Sequence, residues 1–252
     1  SLETYVLDWM PAALREIRAH SGQHEISFFA YCMGGLLTLL YSAAEQDNGI
    51  RNLVTVASPV DMHQSGVAGR VLSLVYRPAN MVSRVLNFSL MDMPARHLHI
   101  PGWLNSIIFK LTNPIGSLIS TLELLVNFWD REYVKNHTTM SQWFDEMVDF
   151  PGQTIKQMLV NMGLKNQMAS GKMEMGEGRA SFDRIQCAML AFAGDSDKLV
   201  SISAAHKVLE IVSSDDKEFC IVPGGHAGVF AGSRAPENMW AVSAAWLAKR
   251  SV

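Results

Sequence analysis

The sequence predicts an α/β fold in which a mostly parallel sheet is interrupted by an inserted helical cap. Short apolar runs alternate with helical segments in residues 1–60 and again in residues 185–252. Strands that alternate with helices in this way form parallel sheets. Between these parts, residues 61–184 lose the alternation and carry Met- and aromatic-rich helical segments separated by prolines. We therefore predict one core, built from 1–60 and 185–252, and a cap formed by 61–184.

Four elements are predicted in the first sixty residues. Apolar residues at helical spacing predict a helix over 2–19 that ends near Ser21-Gly22. The apolar run Ile26–Ala30 predicts a strand that is buried on both faces. A helix over Leu36–Ala44 and a second buried strand over Leu53–Ala57 follow it. Together they predict two neighbouring parallel strands joined by a helix.

The same alternation returns after the cap. Cys187–Ala193 and Phe219–Val222 are predicted strands, and Ser203–Val212 is a predicted helix between them. Glu237–Lys249 closes the chain as a helix, with a proline near its first turn. The sheet is therefore expected to gain two more parallel strands from this end of the chain.

Charge and cysteine usage exclude several functional classes. The net charge is −3 at pH 7, and no cluster of lysines and arginines stands out, so nucleic acid is not expected as a partner. Three cysteines in 252 residues do not form a disulfide framework, which favours a reducing, cytoplasmic setting. The most apolar stretch, Ile107 to Phe128, contains Lys110, Pro114 and Glu123, and these interruptions argue against a membrane-spanning helix.

No metal site or resident cofactor is expected. His63, His97 and His99 do not share a ligand spacing with carboxylates or cysteines of the kind that zinc sites use. Asp61 follows the second strand and could polarise a group near a site or simply end the strand. A structural role for Asp61 is the favoured interpretation.

The turn after the first strand has the spacing of a nucleophile elbow. Ala30, Cys32 and Gly34 occupy the small-x-nucleophile-x-Gly positions of the α/β-hydrolase fold, where the nucleophile lies on a sharp strand-to-helix turn. Small residues on both sides would let strand and helix approach closely, and the helix N-terminus favours a negative charge. The backbone N–H of Met33 is the predicted oxyanion donor. The alternative is a buried structural cysteine before a glycine turn.

An acid and a base follow the two late strands in the order that this fold requires. Asp195 and Asp197 come after the strand at 187–193, and His226 lies in a glycine-rich loop after the last strand. Asp197 is preferred because the apolar residues after it can pack and hold the loop, and Asp195 is the fallback. His226 would take the Cys32 proton, or would stabilise a thiolate that the helix end already favours. Asp197 would fix the imidazole tautomer and stabilise the imidazolium. The alternative is that Asp195 or Asp197 is an ordinary turn residue and that His226 is a surface loop histidine.

Several motifs make the chain resemble the polyhydroxyalkanoate synthases, α/β-hydrolase-fold acyltransferases with a cysteine nucleophile. The matching segments are Leu2-Glu3-Thr4-Tyr5-Val6, Tyr31-Cys32-Met33-Gly34-Gly35, Ser58-Pro59-Val60-Asp61, Asp149-Phe150-Pro151-Gly152, Gly194-Asp195-Ser196-Asp197-Lys198-Leu199-Val200, Gly224-Gly225-His226-Ala227-Gly228-Val229 and Trp246-Leu247-Ala248-Lys249-Arg250. The resemblance covers nearly the whole chain. Ala30 departs from the glycine that is usual two residues before the nucleophile.

The resemblance implies polymerisation of 3-hydroxyacyl-CoA into polyester. Cys32 would take the acyl group from CoA, and His226 with Asp197 would activate the substrate hydroxyl. Acyl-CoA and the growing polyester are the implied partners, in the cytoplasm or at polyester granules, with a homodimer or a second chain as the expected assembly. The alternatives are a cysteine-dependent thioesterase or esterase of the same fold, and a truncated, non-catalytic subunit.

The position of the nucleophile raises a further expectation. An α/β-hydrolase sheet normally carries several strands before the elbow, whereas Cys32 follows the first predicted strand of this chain. An apolar strand at the edge of a sheet invites association with another chain. We therefore expect a piece of a longer protein that lacks the N-terminal strands, or a chain that needs another polypeptide.

Overall fold

The computed structural model describes residues 1–66, 69–74, 78, 94–111 and 122–251. The chain divides into two compact units. One comprises Ser1–Met91 with Gln157–Val252, and the other comprises Asp92–Lys156. The second unit is therefore shorter than the predicted cap of 61–184 at both ends.

Within the described ranges, six strands form two sheets. In chain order the strands are β1 (Ile26–Tyr31), β2 (Ile50–Val56), β3 (Lys172–Met175), β4 (Gly178–Ser181), β5 (Ala188–Gly194) and β6 (Lys217–Val222). The larger sheet has the order β1-β2-β5-β6, and all three of its pairings are parallel. The α/β prediction is confirmed, because each predicted strand lies in this sheet.

The helices alternate with these strands and also fill the second unit. They are α1 (Met10–Ser21), α2 (Met33–Glu45), α3 (Gly102–Leu111), α4 (Arg131–Asp145), α5 (Gly152–Gln157), α6 (Ile202–His206), α7 (Val208–Ile211), α8 (Gly228–Ala231) and α9 (Ala241–Ala248). Shorter 3₁₀ and π segments cover Thr4–Trp9, Met62–Gln64, Ala95–Leu98, Met158–Leu164, Met168–Ser170, Phe182–Arg184 and Pro236–Trp240. The helix predicted over 2–19 ends where expected, because Gly22 takes the left-handed conformation and its N–H caps the Arg18 carbonyl.

The two central strands are buried on both faces. Leu53 and Met189 pack on one side of the sheet in a cluster that contains residues of α1 and α2. The next residues in each strand, Val54 and Leu190, pack on the other side with Trp246 of α9. Because successive side chains of a strand point to opposite faces, the apolar runs in the sequence follow directly from this double burial.

The prediction that β1 is buried on both faces is wrong. Among the described residues β1 pairs with β2 alone, so it forms an edge of the sheet. The side chains of Ser27 and Phe29 are exposed, with Phe29 at 42%. An apolar run by itself does not distinguish an edge strand from a central one.

A β-hairpin stands where only helices were expected. Strands β3 and β4 pair antiparallel, with Met173 opposite Ala180, and Gly176 in the turn has φ = 57°. Met173 and Ala180 are buried in the same cluster as residues of α2. The segment alternates charged and methionine residues with a period of two, but four-residue strands are too short to stand out against the flanking helical pattern.

No helix among the described residues is long and apolar enough to cross a membrane. Residues 112–121 of the apolar stretch, including the predicted break at Pro114, lie outside the described residues.

Two adjacent glycines of α2 differ sharply in their surroundings. A Cβ on Gly35 would lie 2.0 Å from Ser58 Oγ and 2.9 Å from Ser58 Cβ, whereas a Cβ on Gly34 would meet nothing within 4 Å. The close approach predicted for Gly34 is therefore made by Gly35 instead. Gly35 lets the start of α2 lie directly on the chain that follows β2.

We predict that Gly35→Ala destabilises the fold by about 1–3 kcal/mol, because the added methyl group has no space beside Ser58. Gly34→Ala is the matched control, and its stability should stay equal or rise by up to about 1 kcal/mol through the higher helix propensity of alanine. Urea unfolding of the two variants measures the difference. Equal unfolding free energies would contradict the close packing at Gly35.

Candidate active site

Cys32 lies between β1 and α2 in a strained, left-handed backbone conformation. Its φ is 51° and its ψ is −117°, and it is the N-cap residue of α2. A non-glycine residue held in such a conformation costs about 1–3 kcal/mol, which the surrounding structure must offset. The Cys32 N–H donates to the Val56 carbonyl at 2.8 Å, and the Cys32 carbonyl accepts from the N–H of Gly35 and Leu36. The turn thus projects the partly exposed thiol at the carboxyl end of β1.

His226 and Asp197 form a buried hydrogen-bonded pair. The distance from His226 Nδ1 to Asp197 Oδ2 is 2.8 Å, and the two side chains are 9% and 0% exposed. The other carboxylate oxygen, Asp197 Oδ1, accepts from the N–H of Leu199 and Val200 at 2.8 and 2.9 Å. Because a carboxylate only accepts, Nδ1 carries the proton, and Nε2 is the ring nitrogen that remains for the interaction with Cys32.

Asp195 has a different position. Its Oδ1 accepts from the Gly224 N–H at 3.0 Å, and this bond together with hydrogen bonding to Ser196 lowers the pKa of the Asp195 carboxyl. Asp195 therefore fastens the histidine loop to the acid loop. The structure brings Asp197, and not Asp195, to the imidazole.

Two glycines let the acid loop and the histidine loop meet. A Cβ on Gly194 would lie 2.3 Å from the Gly224 carbonyl oxygen and 2.5 Å from Val229 Cγ1. Gly224 itself has φ = 137°, a conformation that side chains other than glycine rarely adopt. Both loops follow the carboxyl ends of the neighbouring parallel strands β5 and β6, so Asp197 and His226 lie at the same end of the sheet as Cys32. The two glycines let the loops come into contact there.

Cys32 acts electrostatically on His226. Burial opposes the imidazolium, but the hydrogen bond to Asp197, and then the hydrogen bond and charge of Cys32, raise the pKa of His226 to about 9. An imidazole with this affinity for a proton can take the proton of the thiol. Transfer of the proton from the Cys32 sulfur to this nitrogen stays a prediction.

Tyr31 is a site residue that the sequence analysis missed. Its hydroxyl donates to the His226 carbonyl oxygen at 3.0 Å, and its ring lies 5.1 Å from the imidazole and 5.4 Å from the ring of Phe230. Burial, with the charges of Cys32 and Asp197, raises the pKa of Tyr31, so the hydroxyl stays a donor. Its signal in the sequence was an aromatic residue directly before the nucleophile.

Met33 is the first residue of α2. The first N–H groups of a helix have no carbonyl partner within the helix, so they are available to other acceptors. Its role as oxyanion donor stays a prediction. Within the described parts of the chain, no group of three or more His, Cys, Asp or Glu side chains could hold a metal ion.

The chain is similar to a known protein family and to two polymerase subunits. The model of the family described as "Serine aminopeptidase, S33" matches residues 1–229. The poly(3-hydroxyalkanoate) polymerase subunit PhaC of Haloferax mediterranei is 25% identical over 253 residues, which cover 100% of this chain and 49% of that protein. The subunit of the same name from Allochromatium vinosum is 25% identical and is covered to 67%. The motif-based resemblance is thus confirmed, and the chain spans about half the length of the first of these relatives.

A solved structure shows the same fold. The monoacylglycerol lipase of Paleococcus ferrophilus superposes with a TM-score of 0.55 and 14% sequence identity, over 99% of this chain and 76% of the lipase chain. At this identity the likeness concerns the fold alone.

We predict that Asp197→Asn slows alkylation of Cys32 by iodoacetamide at pH 7 by at least about tenfold. Asp197 accepts through both oxygens, and the single amide oxygen of asparagine would stay on the N–H groups of Leu199 and Val200, so its NH2 group would face His226 Nδ1 and could not accept from it. Asp195→Asn is the matched control, since an amide oxygen can still accept from Gly224, and its rate should stay close to that of the unaltered protein. Burial raises the pKa of Cys187 to about 11 and also raises that of Cys220, so both react slowly. Peptide mass spectrometry measures the modification of each cysteine, and equal rates for the two variants would remove Asp197 from the site.

We also predict a pH dependence of stability that runs through His226. A pKa raised from 6.5 to about 9 stabilises the fold fully below pH 6.5, and this contribution is lost as the pH rises through about 9. The difference in unfolding free energy between the unaltered protein and His226→Gln should therefore fall over this interval. Urea unfolding at a series of pH values measures it, and a constant difference would show that the imidazole is not charged in the folded state.

Proposed function

The chain belongs to the α/β-hydrolase family described as "Serine aminopeptidase, S33", and we propose that it is an acyltransferase that polymerises 3-hydroxyacyl-CoA thioesters through an acyl-cysteine at Cys32. In this proposal His226 is the general base and Asp197 orients it. The enzyme needs no resident cofactor, because coenzyme A enters and leaves as part of the substrate.

One observation carries this proposal: the residue at the elbow is a cysteine, and it acts on an imidazole that is hydrogen-bonded to a buried carboxylate. A serine in this position forms oxygen esters, which suits hydrolysis. Acyl-CoA and an acyl-cysteine are both thioesters and have similar energies. An acyl group can therefore pass reversibly from the coenzyme A sulfur to the enzyme sulfur. The chemistry of Cys32 therefore favours transfer from a thioester substrate.

The first step would load the enzyme. His226 Nε2 takes the Cys32 proton, and the thiolate attacks the carbonyl carbon of the acyl-CoA. The resulting oxyanion would be stabilised by the N–H of Met33 at the start of α2. When the tetrahedral intermediate collapses, the bond to the coenzyme A sulfur breaks, and His226 returns the proton to that sulfur.

The second step would extend the polymer. The hydroxyl of a second 3-hydroxyacyl group donates its proton to His226 while its oxygen attacks the acyl-cysteine carbonyl. An ester bond forms, the bond to Cys32 breaks, and the thiol recovers its proton from the imidazolium. Asp197 stabilises the positive imidazolium in both steps through the bond at Nδ1.

The relatives support the substrate class. Both are poly(3-hydroxyalkanoate) polymerase subunits by name, and both align with nearly the whole of this chain. Such an enzyme would meet its polyester at the granule surface in the reducing cytoplasm, where its three free cysteines stay reduced.

Association with another copy or another polypeptide is part of the proposal. The relatives are named as subunits, and β1 presents an edge strand whose apolar residue Phe29 is exposed. Exposed apolar edge strands are favourable surfaces for pairing with another strand. A homodimer or a complex with a second chain would cover this edge.

The main rival is a cysteine-dependent thioesterase or esterase. It shares the loading step, but water would resolve the acyl-cysteine in place of a substrate hydroxyl. The site residues are the same in both reactions, so the product distinguishes them. A non-catalytic subunit is the third reading, since the chain spans 49% of the first relative, and it would not load the thiol.

We predict that 3-hydroxybutyryl-CoA acylates Cys32, releases coenzyme A and yields polyester more than free acid. Mass spectrometry of the intact protein detects the acyl-enzyme, and methanolysis of the product separates polymer from 3-hydroxybutyrate. Free acid alone would establish the thioesterase instead, and an unlabelled thiol would exclude both enzymes.

Cys32→Ala is the control for this experiment. It should fold as the unaltered protein does, because a partly exposed thiol contributes little packing, and its acyl transfer should fall by about 10³-fold or more. A fully active Cys32→Ala variant would remove Cys32 as the nucleophile.

A further inference from the structure

Asp61 lies where the chain leaves the sheet after β2, and both oxygens of its buried carboxylate accept hydrogen bonds. The residue is 8% exposed. Its Oδ1 accepts from the His63 N–H at 3.1 Å and from Asn166 Nδ2 at 2.8 Å, and its Oδ2 accepts from Gln64 Nε2 at 2.6 Å. A buried carboxylate is costly unless its oxygens are satisfied in this way, so the three donors define its orientation.

The same network ties the outgoing chain to the returning chain. Asn166 Oδ1 accepts from the Met62 N–H at 3.0 Å, and Asn166 has a left-handed backbone with φ = 48°. His63 Nε2 donates to the Gly163 carbonyl oxygen at 2.9 Å. Asp61 thus holds together two segments that are about a hundred residues apart in the sequence.

The turn held by Asp61 packs directly against the acid loop. The Ser201 hydroxyl donates to the Gln64 carbonyl oxygen at 2.7 Å, and the Asp61 N–H donates to the Ala204 carbonyl oxygen at 3.1 Å. At Gly66 the backbone comes so close that a Cβ would lie 2.6 Å from the Lys198 carbonyl oxygen. The segment that Asp61 stabilises therefore forms one wall of residues 198–204.

That wall supports the acid of the site. Asp197 Oδ1 is held by the N–H groups of Leu199 and Val200, and these residues lie between the two contacts made by Gln64 and Gly66. A shift of the turn would move the peptide groups that aim the Asp197 carboxylate at His226. Displacements of about 1 Å in a positioned group can cost about 10²-fold in rate.

We propose that Asp61 is a positioning residue for the acid–base pair. It shapes the turn at 61–66, the turn holds residues 198–204, and these hold Asp197 at the imidazole. This inference rests on the proposed roles of Cys32, His226 and Asp197. It extends them to Asp61, whose side-chain hydrogen bonds described above go to the turn and to Asn166. Asp61 acts on the site by holding the turn against the backbone of the acid loop.

The first test replaces Asp61 with alanine, which removes all three acceptors. We expect iodoacetamide to alkylate Cys32 at least about tenfold more slowly at pH 7, with an altered pH profile between pH 6 and 10 that reports proton exchange within the Cys32–His226 pair. Circular dichroism and urea unfolding follow the fold and its stability in the same samples.

Asp47 provides a matched control at the other end of the strands, just before β2 begins. Its carboxylate also has three donors: the Gly49 N–H and an Arg18 guanidinium N–H, both at 2.9 Å, and the Tyr41 hydroxyl at 2.7 Å. Asp47→Ala should lower stability and leave the alkylation profile unchanged. If Asp61→Ala behaves like Asp47→Ala, with lower stability and an unchanged profile, Asp61 has a structural role only and the proposal is overturned.

A second pair of variants decides the question even where Asp61→Ala fails to fold. Gln64→Glu places two carboxylates against each other and should slow alkylation. Adding Asp61→Asn should restore the rate, because the new amide donates to the new carboxylate and the hydrogen bond is reversed in direction. A double variant as slow as Gln64→Glu alone contradicts the proposal.

Alkylation separates this proposal from the proposed acyl transfer, because iodoacetamide needs no acyl-CoA site. If the Asp61 variants change the alkylation profile while 3-hydroxybutyryl-CoA never labels Cys32, Asp61 positions the acid–base pair and the acyltransferase assignment fails. If acyl-CoA labels Cys32 and the profile is insensitive to Asp61, the acyltransferase stands and this inference fails.

Discussion

The left-handed backbone of Cys32 is the constraint on which the rest of the site depends. Cys32 takes this strained conformation where β1 passes directly into α2. Its hydrogen bonds to Val56, Gly35 and Leu36 hold it there. The strained turn thus presents the Cys32 thiol at the start of α2, and Gly35 makes the necessary room beside Ser58.

The parallel sheet converts this local turn into a site. The carboxyl ends of β1, β5 and β6 lie along one edge, so the loops that follow them converge there. Convergence alone does not orient an imidazole, and each loop is fastened by its own bonds. Asp195 and the close glycine contact at Gly194 join the acid and histidine loops, while the hydroxyl of Tyr31 fixes the backbone of His226 from the nucleophile strand.

Buried polar groups supply the next layer of support. The Asp61 carboxylate has no cation among the hydrogen-bond partners described above, and is instead satisfied by one backbone and two side-chain amide donors. Such an arrangement is specific, because each donor has a defined direction and a missing partner would leave a buried charge with little compensation. Phe29 is a contrasting feature, since its apolar side chain is accessible in the strand that leads to Cys32.

Local patterns in the sequence were enough to predict the α/β class, the sharp turn at Cys32 and the order of the loops that carry Cys32, Asp197 and His226, because alternating apolar runs and glycine turns are visible within short segments. Long-range packing was needed to show that Asp197 and not Asp195 meets His226, and that Gly35 rather than Gly34 makes the close approach. It also places β1 at an edge of the sheet formed by the described strands. The hairpin of β3 and β4 and the contacts of Tyr31 and Asp61 also emerged only there. These features depend on which segments pack together although they are far apart in the sequence. The residues next to a side chain in the sequence do not specify such distant partners.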